Sequence, residues 1–384
     1  MTASSGGDAA RFERLGLYDP HDADADRRLG LLQDLVALGA TDDDLTDAGD
    51  DLPLLAFRLV ATPGRERLTL AQLAARAGVP EDRLVDVWRH AGFPRPAADD
   101  APFTEADVEL MRLIDAARGL FGDETTLQLL RVTGSALARV ADAVISAFIV
   151  DLASHTMADD PSGVGLVRAN IDTLVLLPQF SAAMDTLLRH HLLALRRDGV
   201  ALGPPGDYET QQLAVGFSDL VDSSGLAQHI SMTELGARLR EFETRAASVV
   251  TAGGGRVIKH TGDGLMFVAS DPVTACRIAL DLIGAFEAAP SLPPVRSGVA
   301  TGEVLMREGD CFGPVVNLAA RLVDVAPTST LLVSDAVRAA LAPADDLRVG
   351  PGAGYRLKGF AEPLSVFEVA RVEPTAGVAG RATL

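Results

Sequence analysis
The chain has little of several things, and each shortage narrows its function. Only two cysteines, Cys276 and Cys311, occur among 384 residues, which excludes a disulfide framework and fits a reduced, cytoplasmic setting. Positive charge is scarce: 34 Lys and Arg face 53 Asp and Glu, for a net charge of −19. Such a surface repels nucleic acid and anionic membranes, which argues against a protein that works mainly by coating nucleic acid. A long uncharged apolar run is also lacking. The most apolar helix candidate, residues 127–153, is interrupted by Arg131, Arg139, Asp142 and Asp151, so it reads as a buried core helix rather than a membrane span. The N-terminus has no basic segment followed by an apolar core, so no signal peptide is expected. What remains is an ordinary globular composition, 48% hydrophobic, with length for about two or three domains.

Residues 1–20 read as a flexible tail. From 21 to 198 apolar residues recur at helical spacing, in segments such as LGLLQDLVALG and MDTLLRHHLLALRRD, which predicts an all-α domain. Within it, residues 69–94 have the helix, AGV turn and helix of a helix-turn-helix and resemble the MerR type. Its basic residues Arg76, Arg83, Arg89 and His90 are opposed by Glu81, Asp82 and Asp86, which argues against DNA as a partner. A Gly- and Pro-rich linker is expected over 199–210.

Beyond the linker the pattern changes. Residues 213–219 read as a buried strand and 232–250 as an amphipathic helix. A hairpin spans 256–269 around Gly262-Asp263-Gly264. A helix over 272–288, a strand over 296–305 and a second helix from about Val315 follow. Further strands are expected near 331–334, 355–357 and 366–369. Strand, helix, two strands, helix, strand is the ferredoxin-like split βαβ arrangement. The whole chain is therefore expected to be α+β, with that domain over 211–372 and a tail over 373–384.

Two aspartates, Asp219 and Asp263, stand just past apolar strands. Carboxylates at neighbouring strand ends can share one or two Mg²⁺ or Mn²⁺ ions, which take oxygen ligands and bridge phosphates. Around them lie Phe217-Ser-Asp219-Leu220, Lys259-His-Thr-Gly-Asp263, and Asp310 followed by Asn317 and Arg321 in D-x₆-N-x₃-R. In these three motifs, in order and at this spacing, residues 211–370 resemble the class III nucleotidyl cyclases.

The resemblance implies an adenylate cyclase that converts ATP to cyclic AMP and pyrophosphate. It implies that Asp219, the Leu220 backbone and Asp263 hold two divalent ions, and that Lys259 and Asp310 read the base. Asn317 would orient the ribose, and Arg321 would meet the charge developing on the α-phosphate. Adenine offers an acceptor at N1 and a donor amine at C6, so a Lys donor and an Asp acceptor match ATP rather than GTP. The family shares its sites between subunits, which implies a homodimer with composite sites. Phe217, Ser223 and Ser224 complete the substrate-binding set. Asp222-Ser223-Ser224 departs from the family's usual turn and places a negative charge where triphosphate is expected.

Residues 1–200 resemble the helical domain that precedes some actinobacterial class III cyclases and is linked with inhibition and pH response. This implies regulation by a proton or a small lipid-like ligand. His190 and His191, on the last helix before the linker, are candidates for the first, and read equally as solvated surface residues. The competing reading of the chain is a ligand- or DNA-binding regulator whose degenerate cyclase half serves for dimerisation.

Overall fold
The computed structural model describes residues 5–22, 24–49, 51–62, 66–147, 176–197, 210–222, 230–289 and 291–372. The chain forms two compact units, divided between Leu192 and Leu193. The expected linker at 199–210 lies, but for Thr210, outside the described residues, as does the tail at 373–384.

In the first unit, helices α1 (Ser5–Arg14), α2 (Ala25–Ala37), α3 (Asp42–Ala48) and α4 (Leu52–Ala61) close around Phe12, Leu31, Leu32, Leu35, Leu45 and Leu55. The part of the expected tail over 1–20 that is described, from Ser5 on, packs into this core. Phe12 is fully buried, and Arg11 Nε donates to Asp42 Oδ1 at 2.8 Å, so the segment from Ser5 is anchored by packing and charge together. A capping box at Thr41 and Asp44 starts α3.

Helices α5 (Leu70–Ala77) and α6 (Glu81–His90) follow one another in the segment 69–94, and Gly78 ends α5 in the left-handed conformation at φ 71°. They pack on α7 (Glu105–Phe121) through Leu73, Leu84, Val87, Phe103 and Val108. Trp88 stacks on Phe93 at 4.5 Å and meets Phe103 edge-on at 4.9 Å. The basic residues of this element are engaged in ion pairs. Arg76 binds Glu66 and Glu105, Arg83 binds Asp115, and Arg89 binds Asp86.

Helix α8 (Asp123–Ala147) is not the buried core helix expected over 127–153. Within its described residues only Thr126 is buried, while Leu129, Leu137, Val144 and Ile145 are exposed. Leu127 and Leu130 pack on the neighbouring core, so burial is confined to its first turns. Helix α9 (Leu177–Arg197) carries His190 and His191, both exposed. Among the described residues no helix is long and apolar enough to cross a membrane.

The second unit is built on one sheet. Strands β1 (Thr210–Leu220), β2 (Arg256–His260), β3 (Gly264–Ala269), β4 (Val295–Arg307), β6 (Leu331–Ser334), β7 (Leu347–Val349) and β9 (Leu364–Arg371) lie in the order β2-β3-β1-β4-β6-β9-β7. Short β5 (Asp310–Phe312) joins β4, and β8 (Ala353–Tyr355) joins β9. The three pairings that join β2, β3, β1 and β4 are antiparallel, as the split βαβ pattern requires. Alternation along the strands makes two faces. On one, Ala214, Phe267 and Val299 pack under α10 (Met232–Ala252) and α11 (Pro272–Glu287). On the other, Val215, Met266 and Ala300 pack under α12 (Pro314–Val325). Short α13 (Asp335–Ala340) follows β6. Gly298 lets α12 approach β4: a Cβ there would stand 2.5 Å from Val323 N and 2.8 Å from Ala319 O.

Candidate active site
One acidic pair lies at one end of the central strands. β1 runs to Leu220 and β3 begins at Gly264, with Asp219 paired opposite Gly264. That register places Asp263 beside Asp219, and the Leu220 N–H donates to the Asp263 carbonyl at 3.1 Å. Gly264 is what room allows here, since a Cβ would meet Asp219 Oδ1 at 3.2 Å. Burial pushes the Asp219 carboxyl above its ordinary range, against the pull of a hydrogen bond from Arg296, and the Asp263 charge adds to the rise. Two oxygen-donor carboxylates, one partly desolvated and repelled by the other, suit a hard divalent cation. Among the described residues no group of three or more His, Cys, Asp or Glu could hold a metal ion.

Arg296 and Asp324 escaped the motif reading. Arg296 lies directly across β4 from Asp219; its Nη2 donates to Asp219 Oδ2 at 3.1 Å and its Nη1 to the Asp324 carbonyl at 3.1 Å. The only hint in the sequence is a charged residue at the opening of a strand. Beneath them the Ser218 and Ser297 hydroxyls, both buried, satisfy each other at 2.7 Å.

A second set forms at β2 and β5. Lys259 Nζ stands 2.5 Å from Asp310 Oδ2, across 51 positions of sequence. A register shift between Val257 and Lys259 interrupts the β2–β3 ladder, and such a bulge re-aims the side chains beside it. Asp310 is held from the other side by the Cys311 N–H at 2.8 Å. Donor and acceptor are therefore presented together, with Lys259 exposed. The chain has only two lysines, Lys259 and Lys358, so one of them is committed here.

The third set is on α12. Asn317 is exposed, and Arg321, one turn on, donates to Asp324 Oδ2 at 2.7 Å. Phe217 is half-buried on β1 and packs toward the α12 face. Asp222 sits at φ 59° in the turn after β1, a conformation Asp tolerates better than most side chains. Ser223 and Ser224 lie outside the described residues.

Comparison with known proteins places these residues in a family. Residues 207–367 match the adenylate and guanylate cyclase catalytic domain. The chain is 34% identical to an adenylate cyclase of Streptomyces coelicolor over 300 residues, covering 76% of each chain. It is 32% identical to an uncharacterized protein of Mycobacterium tuberculosis, over 93% of each chain. A pH-sensitive adenylate cyclase of Mycobacterium tuberculosis is 29% identical over 92% of this chain and 91% of its own. With the split βαβ sheet and relatives aligned along nearly all of its length, the chain belongs to the adenylate and guanylate cyclase family.

Proposed function
We propose that the chain is an adenylate cyclase forming 3′,5′-cyclic AMP and pyrophosphate from ATP. The observation that carries the choice of ATP is the Lys259–Asp310 pair, a donor and an acceptor held side by side at 2.5 Å. Adenine presents the complementary acceptor and donor, whereas guanine would leave both groups unpaired, at about 1–3 kcal/mol each. The relatives named adenylate cyclases support the same reading.

Asp219 and Asp263 would hold two Mg²⁺ or Mn²⁺ ions together with the Leu220 backbone. When bound, these ions supply charge neutralisation for the triphosphate and acidify the ribose 3′-hydroxyl. Asn317 would orient the ribose so that its 3′ oxygen faces the α-phosphorus. That oxygen forms the new P–O bond as the bond to pyrophosphate breaks in line. Arg321, a planar multi-donor cation, would meet the charge that builds on the α-phosphate oxygens.

The working unit is a homodimer in which one subunit gives the aspartates and the other gives Lys259, Asp310, Asn317 and Arg321. Support comes from the exposure of Lys259 and Asn317 and of apolar Phe312 and Val325 nearby in the sequence. The catalytic half is residues 211–372, and the helical half regulates it in response to a proton or a small ligand. Likeness to a pH-sensitive cyclase supports the proton, with His190 and His191 on α9 as sensors. Ion pairing of Arg76, Arg83 and Arg89 weighs against DNA binding. Two free, buried cysteines support a reducing, cytoplasmic setting.

The test is cyclic nucleotide formation by the full chain with Mn²⁺–ATP and Mn²⁺–GTP. Cyclic AMP from ATP, lost in Asp219→Ala and Asp263→Ala, is expected; a preference for GTP, or no turnover of either, contradicts the reading. A pH–activity profile unchanged in His190→Ala/His191→Ala would remove the proton sensor.

A further inference from the structure
Arg296 stands where a cation changes the site's affinity for other cations. We propose that Arg296 is a positioning residue that sets the divalent-cation affinity of the Asp219–Asp263 pair by competing for one oxygen of Asp219. The inference rests on Asp219 being a cation ligand, as proposed above.

Three features hold the guanidinium in place. The β1–β4 register sets Arg296 directly opposite Asp219, so their approach is fixed by the ladder rather than by a long flexible reach. Nη2 is 3.1 Å from Asp219 Oδ2. Nη1 is 3.1 Å from the carbonyl of Asp324, in the last turn of α12, where the helix dipole favours positive charge. The Arg296 side chain is 28% exposed, and its Nε is buried without a hydrogen-bond partner, so little water reaches it. The Asp324 carboxylate turns instead to Arg321.

An ion that uses both oxygens of Asp219 must displace Nη2 from Oδ2, because two cations on one oxygen repel and only one can take its lone pairs in good geometry. The Asp324 carbonyl keeps the arginine attached to α12 while it gives way. Two neighbouring carboxylates with a built-in partial counter-charge bind a dication more weakly than the same two alone. Arg296 thereby tunes the affinity rather than abolishing it.

The test is Mn²⁺ binding to the full chain without nucleotide, read from the electron paramagnetic resonance signal of free Mn²⁺. Arg296→Gln is expected to bind Mn²⁺ about fivefold more tightly, the worth of one partly exposed ion pair. Arg296→Lys, which keeps the charge, is expected to stay closer to wild type. Unchanged or weaker binding in Arg296→Gln, with binding abolished in Asp219→Ala, overturns this proposal and leaves the metal reading standing. Wild-type binding in Asp219→Ala overturns both. Should Arg296→Gln not fold, wild type answers the question: the guanidinium ¹⁵N resonances of Arg296, assigned by comparison with Arg296→Lys, are expected to move saturably on Mg²⁺ titration. Resonances that stay fixed through saturation overturn the proposal.

Discussion
Truncating Lys259 to Ala separates a base-reading role from a structural one. Its ion pair with Asp310 is partly open to solvent, with side chains 44% and 29% exposed. A pair so exposed contributes roughly 0.2–1 kcal/mol to stability. If the pair only ties β2 to β5, Lys259→Ala costs no more than that, and turnover falls no further than stability does. If Lys259 donates to adenine, the truncation leaves a base acceptor unpaired in a closed site, at about 1–3 kcal/mol. At about 1.4 kcal/mol per decade, kcat/KM for ATP then falls roughly 5- to 150-fold while the urea midpoint scarcely moves. Asp310→Ala should behave alike. The double variant should lose less than the two single losses combined, because the pair is coupled. The assay is kcat/KM with Mn²⁺–ATP and Mn²⁺–GTP alongside urea unfolding of each variant. An ATP kcat/KM within about twofold of wild type, with the ATP-to-GTP ratio unchanged, refutes the reasoning.

Other expectations follow from particular contacts. Gly298→Ala forces α12 off β4, because the new methyl would stand 2.5 Å from Val323 N. Urea unfolding should show a loss of about 1–3 kcal/mol, and activity should fall further because Asn317 and Arg321 ride on that helix. Asp271 caps α11 by accepting from the Thr274 N–H at 2.9 Å and its hydroxyl at 2.7 Å. Burial pushes its carboxyl up, but these bonds together hold it below its ordinary range. A lowered carboxyl stabilises the fold fully above its ordinary pKa and loses that effect as pH falls through the lowered value. Asp271→Ala should therefore cost about 1 kcal/mol at pH 7, a gap that closes in acid unfolding curves below about pH 4. Burial pushes the Cys276 thiol up to about 12 and Cys311 up to about 11. Neither should react with a thiol reagent at pH 8 until the chain unfolds, and rapid labelling of the native protein would contradict that.

The site was legible wherever its logic is local in the chain. Asn317 and Arg321 are one helical turn apart, and Lys259 and Asp263 flank one hairpin turn. Fixed spacing therefore announced them. The sheet was legible because β3, Gly264–Ala269, is apolar throughout and bounded by glycine and serine. Register was not legible. Arg296 faces Asp219 across 77 positions, and nothing local marks that meeting. The bulge beside Lys259 and the short strand holding Asp310 depend likewise on partners far along the chain. In the helical half, Phe12 stands in a polar segment whose anchoring comes from α2 to α4, so composition alone read it as loose. The apolar residues of α8 suggested burial, yet only its first turns meet a core among the described residues.

In the proposed homodimer the acidic pair of one subunit works with the base-reading and arginine residues of the other. Mixing Asp219→Ala chains with Arg321→Ala chains probes this sharing of sites, with cyclic AMP formation from Mn²⁺–ATP as the readout. Each variant alone should be inactive. After random re-pairing about half the dimers are mixed, each with one intact site of two, so about a quarter of wild-type activity should return. No recovery, with mixed dimers confirmed by co-purification through two different tags, would contradict the claim.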